Sequence, residues 1–194
     1  FVFRDELSDW CAKGYDYIGA PWVGEDWPNL AKTRQGLPFW TRSRLFRFLP
    51  HVRYDVGNGG FSLRKVSSMY RATRWLRRTR QAWGGRNEDG FFGIAVPECW
   101  WWTGYRIPPA AEAMRFAVET RPADCFAQMG GQLPFGCHGW DKIEPAFWHS
   151  HLAALGYNFD LQAAGRLEAE RLARRRAKQE ARRHEGEGKT HVCA

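Results

Sequence analysis

The chain has 194 residues, a formal net charge of +8, 44% hydrophobic and 26% charged residues, and a mean hydropathy of −0.57. This composition fits one globular domain and excludes collagen-like and disordered classes; no apolar run approaches the ~20 residues of a membrane-spanning helix. Half of the positive surplus lies beyond Leu161, where nine basic side chains meet five acidic ones, so the rest of the chain is only mildly basic.

The first residues, Phe1 to Phe3, suggest an apolar strand, with no signal-peptide pattern before it. Asp5 to Lys13 predicts a short helix with Leu7, Trp10 and Cys11 on one side and Gly14 as its stop. Tyr17 to Trp22 suggests a buried strand closed by Pro21. A polar loop is expected from Val23 to Gly36, then an aromatic and arginine-rich connection to Pro50.

Val56 to Arg64 contains three glycines within four positions, Gly57, Gly59 and Gly60, ahead of an alternating apolar segment. Glycine there permits positive φ or close approach of the backbone to a ligand. Lys65 to Trp83 predicts one helix with Val66, Met69, Tyr70, Thr73, Leu76 and Trp83 inward and its arginines elsewhere. Those arginines are either a solvated face or a phosphate-facing surface.

Gly84 and Gly85 break that helix, and Asn87 is placed to cap the next, which runs through Phe91, Phe92 and Ile94. Trp100 to Trp102 and Tyr105 to Ile107 suggest a strand, Pro109 to Val118 a short helix, Gly130 to Trp140 a glycine-rich loop, and Ile143 to Leu155 a helix ending at Gly156. From Gln162 the chain turns to Ala, Arg and Glu, giving a domain over 1–161 and a basic helical or disordered tail over 162–194.

Several side chains carry possible chemistry. Glu88 and Asp89 stand side by side about 100° apart at a helix start, so one can take a proton from a ligand hydroxyl; equally, both suit the positive end of the helix dipole. His138 lies in a loop between Gly136 and Gly139, open to a metal or phosphate or simply hydrogen-bonded in place. His149 and His151 face apart on a helix and read as surface residues. The five cysteines form no C-x-x-C pair, and no Asn-x-Ser/Thr acceptor occurs, which leaves the compartment open with a lean towards a reducing, cytoplasmic one.

Four segments in order, Tyr15 to Trp22, Gly57 to Arg64, Asn87 to Phe92 and Pro134 to His138, resemble a domain-of-unknown-function family regarded as similar to GT-A-fold glycosyltransferases. The resemblance runs from about Phe3 to Phe159. It implies an α/β fold, a partial GT-A-like mixed sheet flanked by helices, without the N-terminal nucleotide-binding half and its acidic metal motif. It implies a hexosyltransferase-like activity when that half is present, moving a sugar from a nucleotide-sugar donor to a carbohydrate or other hydroxyl acceptor. On that pattern Asn58, Gly59, Gly60, Phe61, Arg64 and Trp22 border donor and acceptor, and Asp89, with Glu88 beside it, is the base of an inverting reaction. His138 helps hold a divalent cation, Mn2+ or Mg2+. Gly90 stands where the pattern expects an apolar residue. Two other classes remain: a non-catalytic carbohydrate-binding or degenerate transferase-like fragment, and a nucleic-acid-binding module using the arginine helix and tail, for which no nucleic-acid motif is visible.

Overall fold

The computed structural model of the chain describes residues 1–23, 56–83, 87–99 and 104–190. The expected loop beyond Val23, the connection to Pro50 and the segment Trp100 to Trp102 lie outside the described residues. The architecture is mixed α/β, with two small sheets flanked by helices, one antiparallel and one parallel. The chain divides into two units, Phe1–His138 and Gly139–Ala194.

In the first unit, α1 (Leu7–Ala12) ends at Gly14, whose φ of 70° is the left-handed turn a glycine supplies. β1 (Tyr17–Pro21) is buried along its whole length and pairs antiparallel with β2 (Val56–Arg64). Their register is broken: Gly19 faces Ser62 while its neighbour Ala20 faces Asn58. Gly59, Gly60 and Phe61 therefore have no partner on β1 and bulge from the ladder.

The single helix expected over Lys65–Trp83 is two, α2 (Val66–Trp75) and α3 (Arg77–Trp83), parted at Leu76 with φ −92° and ψ 35°. The inward face is as expected at Met69, Leu76 and Trp83 and differs elsewhere. Val66 and Tyr70 are exposed, whereas Ser68, Ala72, Thr79 and Trp83 are buried, with Met69 and Leu76 packed beside them. Buried Asp16 is the cause: its carboxylate accepts the Ser68 hydroxyl, and Oδ2 accepts the Arg106 N–H at 2.7 Å. A buried carboxylate must be hydrogen-bonded, and that requirement outranks the apolar periodicity of the helix.

The helix expected after Asn87 is one α-helical turn, α4 (Glu88–Gly90), running into a π-helical segment, Phe91–Ala95. Asn87 holds the N-cap position but its side chain caps nothing. The five π residues are all buried, with Phe91, Phe92 and Ala95 in one cluster with Tyr17, Trp83 and Tyr105. Gly90 is explained by Trp83, whose Cζ2 lies 2.7 Å from where a β-carbon on Gly90 would stand. The apolar side chain expected at 90 is replaced by a ring that comes from the preceding helix.

Tyr105 to Ile107 does not join a sheet; instead the Arg106 carbonyl accepts the Asp16 N–H at 2.8 Å. α5 (Ala110–Phe116) leads straight into β3 (Ala117–Val118), which lies parallel to β4 (Gly136–Cys137), with α6 (Pro122–Gln128) in the crossover. Trp10, Ile18, Ala20, Phe116, Ala117 and Phe135 form the core between β1 and β3.

In the second unit, α7 (Pro145–Ala154) packs on α8 (Leu161–Thr190), and the Glu168 carboxylate accepts the Glu144 N–H at 2.8 Å. The expected basic tail is thus largely one long helix. Trp140 and His149 both set their rings against Phe159, at 4.9 and 5.1 Å between centroids.

Candidate functional site

Three local structures meet at the bulge of β2. The first is the bulge backbone, and its shape follows from glycine. Gly57 has φ 135°, and a β-carbon there would stand 2.9 Å from both Gly93 Cα and Tyr17 Cε1. The Tyr17 hydroxyl donates to the Gly57 carbonyl at 2.5 Å, pinning the start of the bulge. Burial pushes the Tyr17 phenol far above its ordinary pKa, with Arg64 opposing more weakly, so it remains a donor.

The second is the carboxylate pair on α4. Asp89 accepts the Gly59 N–H through Oδ2 at 3.4 Å and the Gly90 N–H through Oδ1 at 2.7 Å. Glu88 instead pairs with Arg64, Oε1 to Nη2, at 3.2 Å. Its own backbone N–H first, and then Arg64, hold the Glu88 carboxyl below its usual pKa range. Arg64 is itself oriented, with Nε donating to Ser62 Oγ at 3.0 Å and its guanidinium over the Tyr17 ring at 5.2 Å. A β-carbon on Gly59 would crowd Arg64 Nη2, Asp89 Cβ and Glu88 Oε1 at 2.9, 3.0 and 3.2 Å.

The third is a pair at the carboxyl ends of the parallel strands. Val118 faces Cys137, so the next residues, Glu119 and His138, emerge together. His138 Nδ1 lies 3.2 Å from Glu119 Oε2, and the His138 ring covers Gly60. A β-carbon on Gly60 would overlap that ring.

Within the bulge, Gly59 therefore adjoins Arg64, Glu88 and Asp89, and the next residue, Gly60, adjoins His138. Asn58 is inside the loop it belongs to: its Oδ1 accepts the Gly60 N–H at 3.3 Å. Phe61 points away, into the core, with its ring 5.4 and 5.8 Å from those of Phe116 and Phe135. Trp22 lies under the bulge, its Cη2 within 3.2 Å of the β-carbon positions of Gly57 and Gly93. Both aromatic residues are half-buried, Phe61 against core rings and Trp22 against the bulge backbone.

Glu119 and Tyr17 belong to this constellation, although no motif contains Glu119 and Tyr17, inside the first matching segment, is given no role there. Glu119 has one local signal: an acidic residue directly after the apolar run Phe116 to Val118, as His138 directly follows Gly136 and Cys137. Among the described residues no group of three His, Cys, Asp or Glu side chains is placed to hold a metal ion.

A separate cleft of about 310 Å3 lies before β3 and β4, lined by Arg4, Asp9, Trp10, Lys13, Arg115 and Leu133 among others. It contains none of the residues around the bulge. Its rim charges are largely spent within the protein: Lys13 pairs with Glu112 at 2.9 Å and Arg4 donates to the Leu133 carbonyl at 2.8 Å.

The first unit is thus a small α/β body that converges an arginine, two carboxylates and an imidazole on one glycine-rich bulge. Residues 1–138, the span of that unit, match the family model described as Protein of unknown function (DUF5672), and the chain belongs to this family. No curated protein and no solved structure matches the chain. Among the described residues no helix is long and apolar enough to cross a membrane.

Proposed function

We propose that residues 1–138 form the acceptor-side part of a glycosyltransferase-like enzyme that transfers a sugar from a nucleotide-sugar to an acceptor hydroxyl. The observation that carries this reading is that Asp89 adjoins Gly59 and His138 adjoins Gly60, neighbouring residues of one bulge. A displacement at a sugar carbon needs a base on the acceptor and charge stabilisation on the leaving group, at separate positions.

Asp89 is the base in this reading. Glu88 is engaged by Arg64, whereas Asp89 Oδ2 makes only a long 3.4 Å contact with the Gly59 N–H and can meet a hydroxyl. The Gly90 N–H at 2.7 Å from Oδ1 fixes the carboxylate plane. As the acceptor oxygen bonds to the sugar carbon and the bond to the diphosphate breaks, the hydroxyl proton passes to Asp89. Arg64, fixed by Ser62, Tyr17 and Glu88, is held rigidly beside the bulge, its charge shared with Glu88.

His138 is the protein donor for a divalent cation. Magnesium keeps several waters and takes oxygens from carboxylates and substrate phosphates, so a lone imidazole donor suits it less well than manganese. Manganese accepts the same mixture of imidazole, water and phosphate oxygen. When bound, the cation supplies neutralising charge for the departing diphosphate.

The test is transfer from a panel of nucleotide-sugars to hydroxyl acceptors, read by mass spectrometry on the natural protein. Asp89→Asn is expected to lower turnover by about 10²–10⁴-fold while nucleotide affinity stays within a factor of two or so. Unchanged turnover removes Asp89 as base. Saccharide binding without any transfer would favour a non-catalytic carbohydrate-binding protein instead.

A further inference from the structure

We infer that Glu119 is a positioning residue: it holds the His138 ring with Nδ1 inward, so that Nε2 is the nitrogen presented to a ligand. The role of Nε2 as a metal-binding atom rests on the function proposed above; the orientation of the ring does not.

Three observations place Glu119 in this role. The first is topological: β3 and β4 are parallel and in register, which sends Glu119 and His138 out of the same sheet end as neighbours. Their backbones are also tied, since the His138 N–H donates to the Val118 carbonyl at 3.2 Å. The second is burial. The Glu119 side chain is 17% exposed and that of His138 49%, so the carboxylate lies behind the ring and the ring faces outward. The third is the state of the carboxylate oxygen. Glu119 Oε2 is buried and makes no aligned hydrogen bond, yet it lies 3.2 Å from Nδ1. A buried, unsatisfied carboxylate oxygen costs free energy, and the Nδ1–H of His138 is the donor at hand to satisfy it through a small rotation of the ring. Gly60 leaves the ring the space in which to lie, because any β-carbon there would displace it.

A neutral imidazole has one proton to place. With a carboxylate at Nδ1 the proton stays on Nδ1, and the Nε2 lone pair faces out. Free imidazole side chains in water favour the other tautomer, in which Nε2 carries the proton and cannot ligate a metal. Glu119 thereby converts the minor tautomer into the resident one.

The experiment is a long-range 15N–1H correlation spectrum of the intact chain without metal, at a pH where the imidazoles are neutral, with His138 assigned by its disappearance in His138→Gln. The expected wild-type signature is a protonated Nδ1 and an unprotonated Nε2. In Glu119→Ala the two should exchange character, and in Glu119→Gln, whose amide oxygen still accepts, the wild-type pattern should be largely kept. A wild-type His138 protonated on Nε2, or a pattern unmoved in Glu119→Ala, overturns the inference. Circular dichroism of each variant separates loss of tautomer from loss of fold. A second arm titrates Mn2+ by electron paramagnetic resonance, where Glu119→Ala is expected to weaken binding by about 10–100-fold. If the wild type binds no Mn2+ while its tautomer is as expected, the metal part of the proposed function fails and the positioning role stands.

Discussion

The imidazole of His138 lies where a side chain on Gly60 would begin: its Cγ and Cε1 are both 2.6 Å from the position of a β-carbon on that glycine. Gly60→Ala must push the ring off the bulge and away from Glu119. Because the His138 side chain is half exposed, it can swing into solvent, so the stability loss should stay near the low end of the ~1–3 kcal/mol seen for overpacking. The functional loss should be larger. We expect Mn2+ affinity to fall about as far as in Glu119→Ala, measured by the same resonance titration, with the melting temperature changed by only a few degrees. Wild-type affinity in Gly60→Ala would mean the ring does not need its seat on the bulge.

Gly57 gives the opposite balance. Its φ of 135° is closed to side chains, and a β-carbon would meet the Gly93 backbone and the Tyr17 ring at 2.9 Å, both of which are held in the core. Strain and overpacking add, so Gly57→Ala is expected to destabilise the first unit by about 2–4 kcal/mol. Gly104 is the internal control. Its φ is 60° but nothing among the described residues lies within 4 Å of its β-carbon position, so Gly104→Ala should cost only the backbone term, about 1–2 kcal/mol. Urea unfolding of the two variants side by side checks the ranking, and equal losses would contradict it.

What the sequence discloses, and what it withholds, divides along the range of the interactions. Gly14 as a helix stop, Tyr17 to Pro21 as a buried strand and the helix ending before Gly156 depend on local backbone preferences, and all three are present. The polar motifs at Asn58 to Arg64, Glu88 and Asp89, and His138 are brought around one bulge, which no local pattern specifies. Phe61 reads as a ligand-facing residue because it adjoins the glycines, yet two aromatic rings from distant segments claim it. The inward face of α2 departs from its periodicity for a similar reason: Asp16, 52 positions from Ser68, decides which side of the helix is buried. Glu119 carries no motif because its meaning depends on the pairing of β3 with β4.

The pairing of Arg64 with Glu88 makes a prediction about acid. The Glu88 carboxyl is held below its usual range, so its contribution to stability is present above the unfolded-state pKa, about 4.3, and is lost as pH falls through the lower folded value. The glutamate side chain is 64% exposed, so that contribution is small and weakened by salt. The informative measurement is the titration of the Glu88 carboxyl carbon by NMR. In Arg64→Ala its pKa should rise but stop short of the ordinary value, because its own backbone N–H, the larger cause, remains. A full return to the ordinary value would assign the whole effect to Arg64; no movement would mean the ion pair does not form in solution.

Cys137, directly before His138 and buried beneath the site, gives the alkaline counterpart. Burial pushes its thiol up to about 11. The folded pKa is raised, so the stabilisation is complete below the ordinary thiol value of about 8.5 and declines as pH rises from there through about 11. Thiolate is the reactive form, so Cys137, already shielded, should resist alkylation at pH 8, while exposed Cys11 reacts. In a Cys193→Ser background, mass spectrometry after brief iodoacetamide treatment should find Cys11 modified and Cys99, Cys125 and Cys137 intact until denaturant is added. Cys137→Ala should flatten the loss of stability measured by urea unfolding between about pH 8.5 and 11. Rapid modification of Cys137 in the folded chain would show that β4 opens, and with it the strand end that presents His138.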